Sequence, residues 1–292
     1  MLRVLATTFA ALAGLAFGSF LNVCVSRWPR KMSIVKPRSY CPNCGRTLTW
    51  WENIPLLSWL ALRGRCRTCR AWIGWRYPLV ELAIGALWAH ECLHCLNSIS
   101  RPGLISYDFH SALAAAIGYA ILEWLLVALA VLDAEHFWLP DWITIPGIAL
   151  GILYQLTTSA IESFMWFFKE GFLWAMEKTL FAILVAAGFI LLIRFVYWLI
   201  RRREGMGLGD AKLMAMLAAW LGLPGVLLSF AVGEVLGALV ALVLLGAKSV
   251  RKESGAWALK KLPLGTFLCI GGLIDVLWGE RIIDAYRAWA GF

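Results

Sequence analysis

The chain has 292 residues, is 61% hydrophobic and 15% charged, and carries a formal net charge of +9. A soluble domain is about half apolar and about one quarter charged, so this composition excludes an ordinary soluble protein. The basic excess could indicate nucleic-acid binding, but the Lys and Arg residues cluster in short segments beside apolar runs, which is typical of membrane topology. We therefore expect membrane lipid around the chain and no nucleic-acid partner.

Apolar runs predict an all-α polytopic membrane protein of about eight transmembrane helices, because a spanning helix needs about 20 apolar residues. The predicted spans are 2–26, 78–97, 111–132, 142–158, 178–200, 210–222, 224–246 and 263–279. The fourth and sixth are short enough to be tilted or irregular. The aromatic residues of 160–177 predict an amphipathic stretch at the membrane interface.

Basic loops predict the orientation of these spans. Segment 27–76 holds eleven Lys and Arg residues and one acid, Glu52, and further basic residues lie in 201–203 and 248–261. By the positive-inside rule all three loops are cytoplasmic. Alternation along the chain then puts both termini outside and the turn at 133–141 in the cytoplasm.

Two Cys-x-x-Cys pairs in the first basic loop predict a metal site. Cys41 and Cys44 are separated from Cys66 and Cys69 by 21 residues, which suits tetrahedral zinc with four thiolates. A site closed by four thiolates leaves no position for water and is structural, so zinc would fold a loop too small to build its own core. The alternative is a set of reduced free thiols.

Cys92 and Cys95 form a third pair at the outer end of the second span. Helix-end residues or one external disulfide explain this pair better than a second metal site does.

Two aspartates stand at the ends of predicted spans: Asp133 ends the third and Asp210 begins the sixth. Carboxylates at the membrane are costly and are functional candidates for that reason. The orientation obtained from Lys and Arg puts both on the cytoplasmic face. Two carboxyls that share a site can hold one proton, so that one activates water and the other polarises a carbonyl, which is aspartic-protease chemistry.

Structural roles for these aspartates stay open at this point. Asp210 could serve as a helix N-cap, and Asp133 could be a solvated helix end. Asp141, which follows Pro140, is a rival for the first catalytic position. Glycines before Asp210 suit irregular backbone lining a cavity, which favours the catalytic interpretation.

The motifs that carry a family resemblance occur in a fixed order along the chain. They are GSFLNV at 18–23, the two Cys-x-x-Cys pairs, ENIPLLSW at 52–59, RYPLVE at 76–81, Asp133 with LPD at 139–141, and GLGDAK at 207–212. In this order they make the chain resemble the bacterial type IV prepilin leader peptidases, a family of intramembrane aspartic proteases.

This resemblance implies a bifunctional enzyme. It would cleave the leader from prepilins and pseudopilins, substrates with a basic leader and an apolar helix, and then N-methylate the new terminus using S-adenosylmethionine. Asp133 and Asp210 would be the catalytic pair. The implied domains are a first transmembrane helix at 1–26, a zinc-binding and methyltransferase-associated cytoplasmic loop at 27–77, and a peptidase domain at 78–292. The implied location is the bacterial inner membrane, with the active site facing the cytoplasm.

Two other classes of protein fit parts of the sequence. A transporter would use acids inside the membrane as a relay, and Glu123 and Glu234 lie well within predicted spans. These two acids could instead contact the transmembrane segment of the substrate or pack as protonated carboxyls. A zinc-stabilised assembly protein of a secretion machine would have no activity, and would tolerate Asp→Asn changes at both aspartates.

Overall fold

Helices make up almost all of the regular structure in the computed structural model, which describes residues 1–99, 106–163, 168–203, 207–249 and 262–291. Within those ranges two isolated antiparallel bridges are the only extended pairing, and the predicted all-α class is confirmed. The helices are α1 (Leu2–Arg27), α2 (Leu57–Ala61), α3 (Arg76–Ile99), α4 (Ser106–His136), α5 (Asp141–Ser163), α6 (Phe168–Arg201), α7 (Leu208–Ser249) and α8 (Leu264–Ala290).

Six of the helices in the described ranges are long and apolar enough to cross a membrane, namely α1 and α3 to α7. The protein is therefore a multi-pass membrane protein. The sixth and seventh predicted spans both lie within α7, and the eighth forms the first part of α8. The predicted interfacial stretch differs from the structure, because 160–163 ends α5 and 168–177 begins α6, while 164–167 lie outside the described residues.

The chain divides within α4 into two compact units, Met1–Ala128 and Leu129–Phe292. In the first unit, α1 packs closely on α3 because glycines bring the two backbones together. A Cβ atom at Gly18 would lie 2.7 Å from the Cα of Glu81. The indole of Trp88 donates to the carbonyl of Ala120, and that of Trp124 to the carbonyl of Phe17, so the first part of α4 joins this pair.

The second unit is built around α7, which is broken at Gly222. This glycine has φ 67° and ψ −175°, a conformation that side-chain-bearing residues avoid. In a straight helix Asp210 and Glu234 would be about 36 Å apart. Their charges nevertheless interact, so 223–249 folds back along 208–221. The break confirms the predicted boundary between the sixth and seventh spans.

The returning half of α7 packs antiparallel to α8. A Cβ at Gly225 would meet Asp275, and one at Gly233 would meet the backbone of Phe267. The first half of α7 packs on α5, where the indole of Trp220 donates to the carbonyl of Gly147 at 2.8 Å. These contacts bring the starts of α7 and α8 and the end of α4 to one place.

Candidate active site and metal centre

Asp133 lies in the last turn of α4 and is buried, with 6% of its surface exposed. Its Oδ2 atom accepts the backbone N–H of Thr266 at 2.7 Å and the Thr266 hydroxyl at 3.2 Å. The backbone N–H of Gly265 also donates to this carboxyl. Both residues belong to the first turn of α8, whose N–H groups have no partner within the helix. The start of α8 therefore supplies the donors that hold the Asp133 carboxyl in place.

Asp210 occupies the third position of α7 and is half-buried. Its Oδ2 accepts the backbone N–H of Gly207 at 3.2 Å. A carboxyl at the third helical position that reaches back to the residue before the helix is a capping interaction. The residue thus takes part in capping from inside the helix and is not itself the N-cap.

The structure brings Asp133 and Asp210 together, close enough for their charges to interact. The Leu139 side chain packs against both backbone segments that lie beside these carboxyls. A Cβ at Gly209 would lie 3.1 Å from the Cβ of Leu139, and a Cβ at Gly265 would lie 2.9 Å from its Cδ1. Glycines at these positions let the backbones beside the two carboxyls close around one leucine side chain.

Asp141, the rival for the first catalytic position, is exposed and pairs with Lys212. The Lys212 Nζ atom lies 2.6 Å from Asp141 Oδ1. This ion pair ties the start of α5 to the start of α7. Its carboxyl is therefore engaged in a contact between helices.

Three residues of the site have no counterpart among the sequence predictions: Gly265, Thr266 and Cys269. The Cys269 side chain is fully buried and lies near both aspartates. Pro263 before an apolar run does mark the start of a helix. However, nothing local indicates that this helix start meets a residue 133 positions earlier in the chain.

The four cysteines of the first loop come together as predicted. One ligand atom from each of Cys41, Cys44, Cys66 and Cys69 lies within 4.8 Å of the others. The Sγ atoms of Cys41 and Cys69 are 3.8 Å apart. Tetrahedral coordination with metal–sulfur bonds of about 2.3 Å requires a sulfur–sulfur distance of about 3.8 Å, so the arrangement fits a four-thiolate metal site. The side-chain amide of Asn43 lowers the pKa of Cys69 to about 6, which favours the thiolate that binds metal.

A buried ion pair supports the loop around these cysteines. Glu52 is 7% exposed and accepts from the Arg46 guanidinium at 2.5 Å. It also closes a capping box with Thr49. The hydrogen bond from Arg46 lowers the pKa of the Glu52 carboxyl to about 2. The single acid of the predicted basic loop is thus a structural residue.

The loop docks on α3 through Glu81, whose carboxylate accepts the backbone N–H of Leu56 at 2.8 Å. Leu56 has φ 59°, a strained conformation for a leucine. Asn22 on α1 donates to the carbonyl of Tyr77 at 3.0 Å. Residues of three predicted motifs therefore meet where α1 and α3 enter the loop.

The remaining residues singled out in the sequence are two acids within the spans and one pair of cysteines. Glu123 is fully buried in α4 and lies near Glu91 on α3. Glu234 is half-buried and lies near Asp210. Cys92 and Cys95 are half-buried free thiols on α3.

Comparison with known proteins extends over nearly the whole chain. Residues 12–95 match the bacterial peptidase A24 N-terminal domain, and residues 119–242 match the type IV leader peptidase family. A prepilin leader peptidase/N-methyltransferase of Pseudomonas aeruginosa is 33% identical, with 96% of this chain and 93% of that protein aligned. The chain belongs to the type IV leader peptidase family.

Other leader peptidase relatives agree with this assignment. A prepilin leader peptidase/N-methyltransferase of Stutzerimonas stutzeri is 34% identical over 96% of this chain and 93% of that protein. One from Myxococcus xanthus is 41% identical over 80% of this chain and 63% of its own length. No solved structure matches the chain. The N-terminal match contains the four-cysteine cluster, and the leader peptidase match contains both aspartates.

Proposed function

We propose that the protein removes the leader peptide from type IV prepilins and pseudopilins and then methylates the new N-terminus. Asp133 and Asp210 are the catalytic pair of the cleavage reaction. The observation that carries the proposal is the meeting of these two carboxyls at the joined ends of α4, α7 and α8. Membership of the leader peptidase family supports the substrate class.

Cleavage uses one proton shared between the two carboxyls, because like charges at close range do not both ionise readily. The ionised carboxyl takes a proton from water, which attacks the scissile carbonyl carbon. The protonated carboxyl donates its proton to the carbonyl oxygen as that oxygen gains charge. Collapse of the tetrahedral intermediate breaks the C–N bond, and the leaving amine takes up a proton. The donors at the start of α8 keep the Asp133 carboxyl oriented through these steps.

The second reaction consumes S-adenosylmethionine as a substrate. The new terminal amine attacks the methyl carbon, the carbon–sulfur bond breaks, the sulfur keeps the electron pair, and the amine loses a proton. This activity is assigned to the zinc-bearing loop of 27–77 with its docking helices. Cys41, Cys44, Cys66 and Cys69 would hold zinc there in a structural role, since four thiolates would complete its coordination.

The active site is proposed to face the cytoplasm from the bacterial inner membrane. The basic loops of 27–76 and 201–203 support this orientation by the positive-inside rule. A substrate with a basic leader and an apolar helix would keep the leader on that side and place its helix in the bilayer.

The decisive experiment incubates the purified full-length protein with a synthetic prepilin and follows leader release. Asp133→Asn and Asp210→Asn should each abolish release, whereas methylation of a pre-cut substrate should persist. Asp141→Asn is the matched control, because its carboxyl pairs with Lys212, and it should retain release. Normal release by a folded Asp133→Asn or Asp210→Asn variant would refute the assignment of these carboxyls, whereas absence of release by the unmodified protein would favour a transporter or an inactive assembly protein.

A further inference from the structure

The metal-binding loop contains two turns of the same design, related by 25 positions. Residues Tyr40 and Thr47 form an antiparallel bridge around the first pair of cysteines, and Arg65 and Trp72 form one around the second. In each turn the backbone N–H of the first cysteine donates to a carbonyl five residues later at 2.9 Å. The two turns can therefore be compared position by position.

Arg70 is the position at which the two turns differ in an unexpected way. The residue that follows the second cysteine has a left-handed conformation in both turns, with φ 71° at Gly45 and φ 58° at Arg70. Glycine adopts this conformation without steric cost, whereas arginine does not. The first turn has the residue that the backbone favours, and the second has a cation there instead. A strained residue that persists at such a position is a reason to look for a function of its side chain.

Arg63 repeats this observation nearby. It has φ 51° and immediately precedes Gly64, which is also left-handed with φ 66°. Arg63 and Arg70 line the same cleft, which has a volume of about 780 Å³. Its lining residues are Ala61, Leu62, Arg63, Arg65, Arg70 and Trp72.

Among the residues that the structure describes, the lining of the cleft concentrates positive charge. Three of its six lining residues are arginines, all three exposed, and none of the six is acidic. The acid of this loop, Glu52, is engaged by Arg46. A neighbouring arginine outside the cleft, Arg67, instead lies over the ring of Trp51 at 5.3 Å. The cleft is therefore complementary to an anion.

The position of the cleft indicates where that anion comes from. Trp72 and Trp75 are more than half exposed, and their rings pack together with that of Trp59 beside the cleft. The membrane-spanning helix α3 begins at the residue after Trp75. Exposed tryptophans at the end of a spanning helix are typical of the lipid headgroup region.

We propose that Arg63, Arg65 and Arg70, together with Trp72, bind the phosphate group of an anionic membrane lipid. Guanidinium groups form charge-assisted hydrogen bonds to phosphate oxygens, and three around one cleft favour a headgroup over the neutral surface of a zwitterionic lipid. S-adenosylmethionine suits the cleft less well, because it carries a sulfonium and an ammonium against one carboxylate. Binding a headgroup there would hold the metal-binding loop against the membrane.

The test uses the full-length protein in nanodiscs of phosphatidylcholine that contain a photoreactive phosphatidylglycerol. Cross-linked peptides are identified by mass spectrometry, and labelling should fall within 61–75 and be displaced by unlabelled phosphatidylglycerol. Arg70→Gly should weaken labelling about fivefold, the effect of one cation near an anionic surface. Its thermal midpoint should equal or exceed that of the wild type, because glycine relieves the left-handed strain. Arg67→Ala removes the same charge from the same loop outside the cleft and should leave labelling unchanged.

Three results would overturn the proposal. Equal loss of labelling in Arg67→Ala and Arg70→Gly would mean a diffuse electrostatic attraction and no defined site. Displacement by inorganic phosphate as effective as that by phosphatidylglycerol would identify a free-phosphate site. Displacement by S-adenosylmethionine would identify the cofactor pocket. Leader release and methylation are measured separately, so none of these results depends on the proposed enzymatic function.

Discussion

Replacing Gly265 with alanine places a methyl group against the Asp133 carboxyl. The new Cβ would lie 3.0 Å from Asp133 Oδ2 and 2.9 Å from the Cδ1 atom of Leu139, whereas ordinary contacts begin at 3.4 Å. Since Leu139 is itself packed against Gly209, the carboxyl must yield by about 0.4 Å. A displacement of 1 Å at a reacting group costs about a hundredfold in rate, so we expect a roughly tenfold loss of leader release.

The assay measures the rate of leader release from a full-length prepilin, with a thermal unfolding curve for each variant. Gly188→Ala is the matched control, because a Cβ there meets no atom within 4 Å. It should cleave at the wild-type rate and gain about 0.5–1 kcal/mol of helix stability. A folded Gly265→Ala protein that cleaves as fast as Gly188→Ala would refute the claim that the carboxyl of Asp133 works in the position described.

Three further changes test other parts of the structure. Thr266→Val removes the 3.2 Å hydrogen bond from the Thr266 hydroxyl to Asp133 and keeps the 2.7 Å bond from its backbone N–H. The kcat for leader release should fall about threefold to tenfold. An unchanged kcat would contradict the role of Thr266 in orienting the Asp133 carboxyl. Because the folded pKa of Glu52 is about 2, below its value in the unfolded chain, its contribution to stability is present at neutral pH and is lost as the pH falls from about 5 towards 2. Glu52→Gln should therefore lower the free energy of unfolding, measured with denaturant at pH 7, by about 2 kcal/mol. It should also weaken the dependence of stability on pH below about 5, and an unchanged dependence would argue against the ion pair. Elemental analysis should find zinc in the wild-type protein and in Cys95→Ser but not in Cys66→Ser, and equal zinc contents in the two variants would exclude the four-thiolate site.

Local sequence patterns predicted the long helices, the four clustered cysteines and the two aspartates of the candidate active site. Apolar length identified the long helices, and the predicted boundary between the spans 210–222 and 224–246 coincides with the break in α7. The spacing of the cysteines predicted their convergence because each pair lies on one tight turn. Asp133 and Asp210 stood out because carboxylates at the ends of apolar segments are costly.

Such local patterns could not predict contacts between segments that are distant in the sequence. Thr266 meets Asp133 across 133 positions, and this pairing depends on how α8 packs against the returning half of α7. The ion pair of Asp141 with Lys212 likewise depends on the packing of α5 against α7. The left-handed conformation of Arg70 could not be predicted either, because it is recognised only when the backbones of the two cysteine turns are compared.

The fold-back at Gly222 also leaves the first half of α7 short for a bilayer. It has 14 residues, which is about 21 Å of helix against a hydrocarbon layer of about 30 Å. A span shorter than the hydrocarbon layer is accommodated by local thinning of the bilayer, at a cost in free energy that grows with the mismatch. Because Asp210 lies in the first turn of this short half, we expect the thickness of the host bilayer to affect leader release, alongside the residues of the enzyme.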